Sequence, residues 1–145
     1  MATLDVKRLE LADLPAHPQL RAADEVECRA AGLEPAEALR ISLSNSQVAW
    51  AVSLDGEVVA YWGHAPVSIL GNIGVAWLLS TPAAEYHRVA FGRYSISFLT
   101  TLLHFYSEVL VQVDLEYHRA RKWLRWLGFE EACRSGRFAT MRKVR

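Results

Sequence analysis

Side chains able to give or take a proton gather at a few places along this chain. Tyr117 offers a phenolic donor near the start of an amphipathic stretch, and His64 ends a strand-like run with an imidazole that titrates near neutrality. Asp24, Glu25 and Glu27 share one helix-compatible segment, and Asp114 closes a β-branched run of Val109, Val111 and Val113. A tyrosine acid with a carboxylate or imidazole base is equipment for general acid–base chemistry. Each residue also has a structural reading. Acids at helix starts and strand ends cap or are solvated, and a tyrosine at a strand-to-helix corner serves as an amphipathic packing group. His17, His64, His87, His104, His118, Cys28 and Cys133 show no ligand spacing, so no metal site is expected. Both cysteines are expected to be reduced packing residues.

A second kind of chemistry is recognition. On a helical projection Trp126 falls between Arg119 and Lys122, roughly 60° outside Trp123. A tryptophan flanked by cations anchors protein interfaces, and the alternative is a ring lying flat on the core edge under basic stems. Tyr61-Trp62 carries the same ambiguity, because strand alternation sends the two rings to opposite faces.

Composition bounds these options. The 145 residues suffice for one domain, 1–145, with a real core, and 52% hydrophobic with 22% charged residues is globular usage. No apolar run approaches the roughly 18 residues of a membrane span, and MATLDVKRLE has no signal-peptide core, so a soluble intracellular protein is expected. Net charge is zero but uneven: residues 1–60 carry ten acids and five bases, residues 117–145 two acids and nine bases. A basic C-terminal region suits an anionic partner, a phosphate-bearing cofactor or head-to-tail self-association, or is simply a solvated face. Neutral overall charge and the lack of a known module argue against nucleic acid.

The elements that must position these residues follow from periodicity. Thr3 to Leu9 alternates as a strand. Ala22 to Ala31 is helical up to Gly32, and Glu34-Pro35-Ala36-Glu37 opens a second helix reaching about Leu43. Val48 to Leu54 and Glu57 to His64 are strands joined by the hairpin signal Asp55-Gly56. Gly74 to Ser80 is an apolar strand expected to be buried on both faces. From Glu85 to Glu108 the period is helical, with Phe91, Ser95, Phe98, Leu99, Leu102, Phe105, Tyr106 and Val109 in one stripe. After Asp114 comes a helix with Glu116, Tyr117, Ala120, Trp123, Leu124 and Leu127 on one side and His118, Arg121, Lys122 and Arg125 on the other. It ends at Gly128-Phe129, and Ala132 to Val144 gives one or two strands. The predicted order is β-α-α-β-β-β-α-β-α-β(β): an α/β (α+β) domain with a mixed sheet of 6–7 strands and helices on both faces.

Strand, helix, then Gly128-Phe129 opening a last strand resembles the C-terminal half of the GNAT superfamily of acetyl-CoA-dependent N-acetyltransferases, and the element order extends that resemblance over essentially the whole chain. A finer series narrows it: Asp24-Glu25, residues 32–39, Ser46, Trp50-Ala51, Gly63, residues 74–81, Tyr106 and residues 123–129. Together these resemble the GNAT-like internal virion or virion-assembly proteins of T7-type tailed bacteriophages. That resemblance implies a protein made in the cytoplasm of an infected bacterium, working through other virion proteins or self-association, with incorporation into the virion left open.

The superfamily resemblance also implies where acetyl-CoA or CoA would lie: along Leu78, Leu79 and Ser80, and at the following turn with Arg88, Gly92 and Arg93. The family's Arg/Gln-x-x-Gly-x-Gly/Ala pattern is degenerate there, since Arg88 and Gly92 stand at the wrong interval and the second glycine is absent. Counting back from Gly128 places Leu124 where the family's acid tyrosine stands, leaving Tyr117 as the substitute and His64 or an acid as base. These losses point to a non-catalytic virion protein whose contacts run through Trp126, Arg119 and Lys122, the alternative being a CoA-dependent N-acyltransferase. An enzyme requires an open cleft between the fourth and fifth strands, and a structural protein can fill it with Phe91, Tyr94 or Trp77.

Overall fold

Asp55 and Gly56 both take positive φ, 54° and 81°, so the turn matches strand twist and closes a tight hairpin between β2 (Val48–Leu54) and β3 (Glu57–Pro66). Around it the computed structural model, which describes residues 3–68 and 70–145, builds one seven-stranded sheet. The remaining strands are β1 (Leu4–Arg8), β4 (Ile73–Ser80), β5 (Glu108–Asp114), β6 (Glu130–Ser135) and β7 (Phe138–Val144), in the spatial order β1-β2-β3-β4-β5-β7-β6. Every neighbouring pair is antiparallel except β4 and β5.

Helices cover both faces. On one side α1 (Ala22–Ala30) and α2 (Pro35–Ser44) enclose Leu20, Cys28, Leu39, Ala49, Tyr61 and Leu79. On the other, α4 (Arg88–Phe105) and α5 (His118–Trp126) bury Trp62, Phe91, Leu99, Leu102, Val109, Leu124 and Met141. Between β4 and α4 lies the single-turn α3 (Ala83–Tyr86). With both faces covered, Tyr61 and Trp62 are both buried. No helix among the described residues is long and apolar enough to cross a membrane.

Three expectations need correction. The stretch from Glu85 is two helices rather than one, broken at His87, and the long one ends at Phe105. Phe105 is therefore exposed at the helix end, while Val109 belongs to β5. Cys28 is buried, whereas Cys133 lies exposed on the edge strand β6. Arg121 is not on a solvated face: its guanidinium donates to the Leu115 carbonyl at 2.9 Å and pairs with Glu131 at 3.5 Å.

The end of α5 shows the local chemistry that sets a boundary. Gly128 has φ of 101°, its N–H donates to Arg125 O at 3.0 Å, and the Phe129 N–H reaches Leu124 O at 2.9 Å. That pair of bonds is a Schellman closure, and it turns Phe129 into the core.

Candidate active site

The parallel pair β4/β5 matches for only three residues, Ile73 with Glu108, Gly74 with Val109 and Val75 with Leu110. Beyond them the strands diverge toward Ser80 and Asp114, opening a wedge in the sheet. β4 is consequently not buried on both faces: Trp77 and Leu78 are half-buried and line the wedge. The result is a cavity of about 400 Å³ walled by β4, β5, α1 and the starts of α4 and α5.

None of the three expected plugs fills it. Phe91 lines the cavity wall, packed against the core and stacked on Trp123 with centroids 6.2 Å apart. Tyr94 accepts a hydrogen bond from Trp62 Nε1 at 2.7 Å behind the sheet. Trp77 lines the cavity wall, held there by donating Nε1–H to Ser46 Oγ at 2.6 Å.

Helix α1 carries the acidic groups to the wedge. Asp24, only 4% exposed, accepts the Ser80 N–H at 2.8 Å and the Ser80 hydroxyl, so it ties α1 to the end of β4. Burial raises its pKa above the ordinary value against the pull of those bonds. One turn further on, Glu27 accepts the Asp114 N–H at 2.8 Å and ties α1 to the end of β5. Burial, reinforced by the charges of Asp24 and Asp114, pushes Glu27 up to about 7. A carboxylate whose pKa is raised toward neutrality and which lines a cleft is a candidate general base.

Tyr117 faces the same cavity from the N-terminus of α5. Burial and then the nearby Asp24 carboxylate raise its pKa far above that of a free phenol, so the hydroxyl keeps its proton throughout the neutral range. Leu124, which stands where the family tyrosine would, is buried in the core.

Other expected site residues distribute unevenly. Leu78, Leu79, Ser80 and Arg88 line the cavity. Gly92 and Arg93 do not; both sit inside α4, beyond its first turn. Helix α4 begins earlier, at Arg88, and Arg88 and Phe91 of its first turn are the residues that line the cavity. His64 is misplaced as a base. It is 8% exposed, stacks on Trp50 and engages the Tyr106 hydroxyl through Nδ1 at 2.9 Å, outside the cavity lining. Burial lowers its pKa below the ordinary imidazole value.

Of the expected partner residues, Trp126 is 63% exposed and Lys122 is exposed. Arg119 instead lies at the cavity, where both guanidinium ends bind Glu85 at 2.8 and 2.9 Å. Arg21 reaches the same Glu85 carboxylate at 2.6 Å. Glu25 points away and pairs with Arg29, and Asp114 is held by Arg137. Among the residues the site uses, Arg21 and Glu85 carried no signal in the sequence, because their relation appears only when β4 and β5 splay.

The overall architecture superposes on solved structures of acetyltransferases. AAC(6')-Ib in complex with ribostamycin and coenzyme A superposes with a TM-score of 0.74 at 14% identity, covering 99% of this chain and 94% of that one. The fold is the GNAT fold. The GNAT domain of S. lividans PAT gives a TM-score of 0.72 at 9% identity, over 96% of this chain and 89% of that one. A spermidine N-acetyltransferase SpeG chimera from Vibrio cholerae and hSSAT gives 0.65 at 15% identity, over 97% and 95%. No family model matches the sequence, and neither does any curated relative. The GNAT likeness is thus one of architecture.

Proposed function

We propose that the protein is a CoA-dependent N-acyltransferase acting on an amine. The observation that carries this reading is the open wedge between β4 and β5 with Glu27 on one wall and Tyr117 on another. The residues present fit the cofactor: the cavity runs along β4, has Arg88 at the N-terminus of α4, and holds further arginines at its rim. Acetyl-CoA, when bound, supplies the acyl group as a thioester.

The chain's own groups then divide the proton work. Glu27 takes the proton that the acceptor ammonium must lose before its nitrogen can attack. Tyr117, protonated at all neutral pH values, donates to the departing sulfur. Asp24 positions the end of β4 through Ser80, and its carboxylate beside the Tyr117 hydroxyl helps keep the phenol in its protonated, donating form. A primary amine acceptor, acetyl-CoA and a thiol-detecting dye test the activity directly. Thiol release that depends on both the amine and Glu27 is the expected result, and the absence of release across a panel of mono- and polyamines, aminoglycosides and peptide N-termini refutes it.

The virion-assembly role implied by the sequence series is the lesser reading. It draws on exposed Trp126 as a partner surface, while the open, unplugged wedge favours a ligand.

A further inference from the structure

Glu85 and Arg119 sit across the wide end of the wedge. Glu85 follows β4 on α3, Arg119 follows β5 on α5, and their two-point ion pair spans the mouth between the diverging strands. Arg21 joins from the segment before α1, anchored where its own N–H donates to Ser80 O at 2.9 Å. Arg88 lines the same cavity and makes no ion pair among the described residues. Two guanidinium groups therefore bind the one carboxylate, and a third, that of Arg88, lines the same cavity.

We propose that Arg21 and Arg119 form an anion clamp for a diphosphate group, and that Glu85 is a built-in carboxylate occupying it until the ligand arrives. The inference rests on the acyl-CoA reading of the wedge for the identity of the ligand. Its physical basis is separate. Guanidinium forks match the oxygens of a phosphate as they match a carboxylate, and a diphosphate brings more charge and more acceptor oxygens than Glu85. The Glu85–Arg119 pair is partly exposed, with 40% and 62% of the side chains accessible, so it is a weak interaction that a stronger anion displaces. Displacement parts α3 from α5 at the mouth and transfers both arginines to the ligand. The clamp would supply from side chains the phosphate contacts that the degenerate turn at residues 85–94 lacks.

Calorimetric titrations of wild type, Glu85→Gln and the double variant Arg21→Gln/Arg119→Gln test this, using CoA, inorganic pyrophosphate and pantetheine at low salt. Melting curves establish first that each variant is folded. Glu85→Gln should bind CoA and pyrophosphate roughly tenfold more tightly than wild type, with pantetheine binding unchanged. The double variant should bind pyrophosphate more weakly than wild type. Unchanged or weaker pyrophosphate binding by Glu85→Gln overturns the clamp. An equal gain for pantetheine also overturns it, since Glu85 would then act as a steric bar rather than a competing anion. If Glu85→Gln takes up pyrophosphate and no variant binds CoA, the clamp stands and the acyltransferase reading falls.

Discussion

The Glu27 carboxylate accepts the backbone N–H of Asp114 at 2.8 Å, and this bond joins the middle of α1 to the end of β5 on the far side of the wedge. Asp24, one turn earlier, makes the matching tie to Ser80 at the end of β4. Helix α1 thus bridges the two strands where they have stopped pairing, and its acids lie in the gap because the gap supplies unpaired N–H donors. Structure and chemistry are carried by the same two side chains.

Glu27→Gln separates those roles, since the amide oxygen still accepts from Asp114 while the base is lost. Acyl transfer should fall about 10²-fold or more. In wild type, kcat/KM should rise with pH through about 7 as Glu27 loses its proton. Stability moves the other way. The folded chain holds a proton up to about 7 that the unfolded chain releases near 4.5, so the contribution of Glu27 to stability is most favourable below 4.5 and declines as pH rises to about 7. Glu27→Gln should therefore melt higher than wild type at pH 8 and close to it at pH 4.5, measured by thermal denaturation across that range.

Tyr117→Phe removes the proton donor with little change in shape. It should lower kcat roughly 10- to 10²-fold with a poor thiol leaving group, leave the KM for acetyl-CoA nearly unchanged, and have less effect with a more acidic thiol. Because the Tyr117 pKa is raised, it should contribute no loss of activity between pH 7 and 9. Steady-state kinetics with two thioesters of different leaving-group acidity measures both points.

How much of this was legible in the sequence depended on sequence distance. Asp55-Gly56 and Gly128-Phe129 act within a few residues, and both turns stand where periodicity placed them. The series of scattered residues encoded architecture, because its members meet one another. Ser46 accepts from Trp77, and both crowd against Gly63; Gly74 faces the Tyr106 ring; Asp24 binds Ser80. His64 lay beyond such reading because the face its ring takes depends on how α4 covers β3, and Glu85 because its partners come from segments on either side of the wedge.

Gly74 illustrates the architectural class. A Cβ there would run into the Tyr106 ring, beside the last residues at which β4 and β5 still pair. Gly74→Ala should cost about 1–3 kcal/mol in urea denaturation, and the cost should shrink in a Tyr106→Ala background.

Asp114 is 1% exposed and receives the Arg137 guanidinium at 3.0 Å. Burial opposes its charge, but the Arg137 hydrogen bonds and the Glu116 N–H prevail and hold its pKa below the ordinary 3.8. The stability this confers is present above that value and is lost as pH falls through the depressed pKa of the folded state. Arg137→Gln should lower stability at pH 7 and flatten the acid limb of the stability profile, as followed by circular dichroism.

The most direct test of the central claim is calorimetric titration of the wild-type protein with acetyl-CoA. A wedge built for an acyl thioester predicts a dissociation constant below about 100 μM, roughly −5.5 kcal/mol, with one ligand per chain. No heat and no thermal shift at millimolar acetyl-CoA would contradict it and leave the GNAT fold serving some purpose other than acyl transfer.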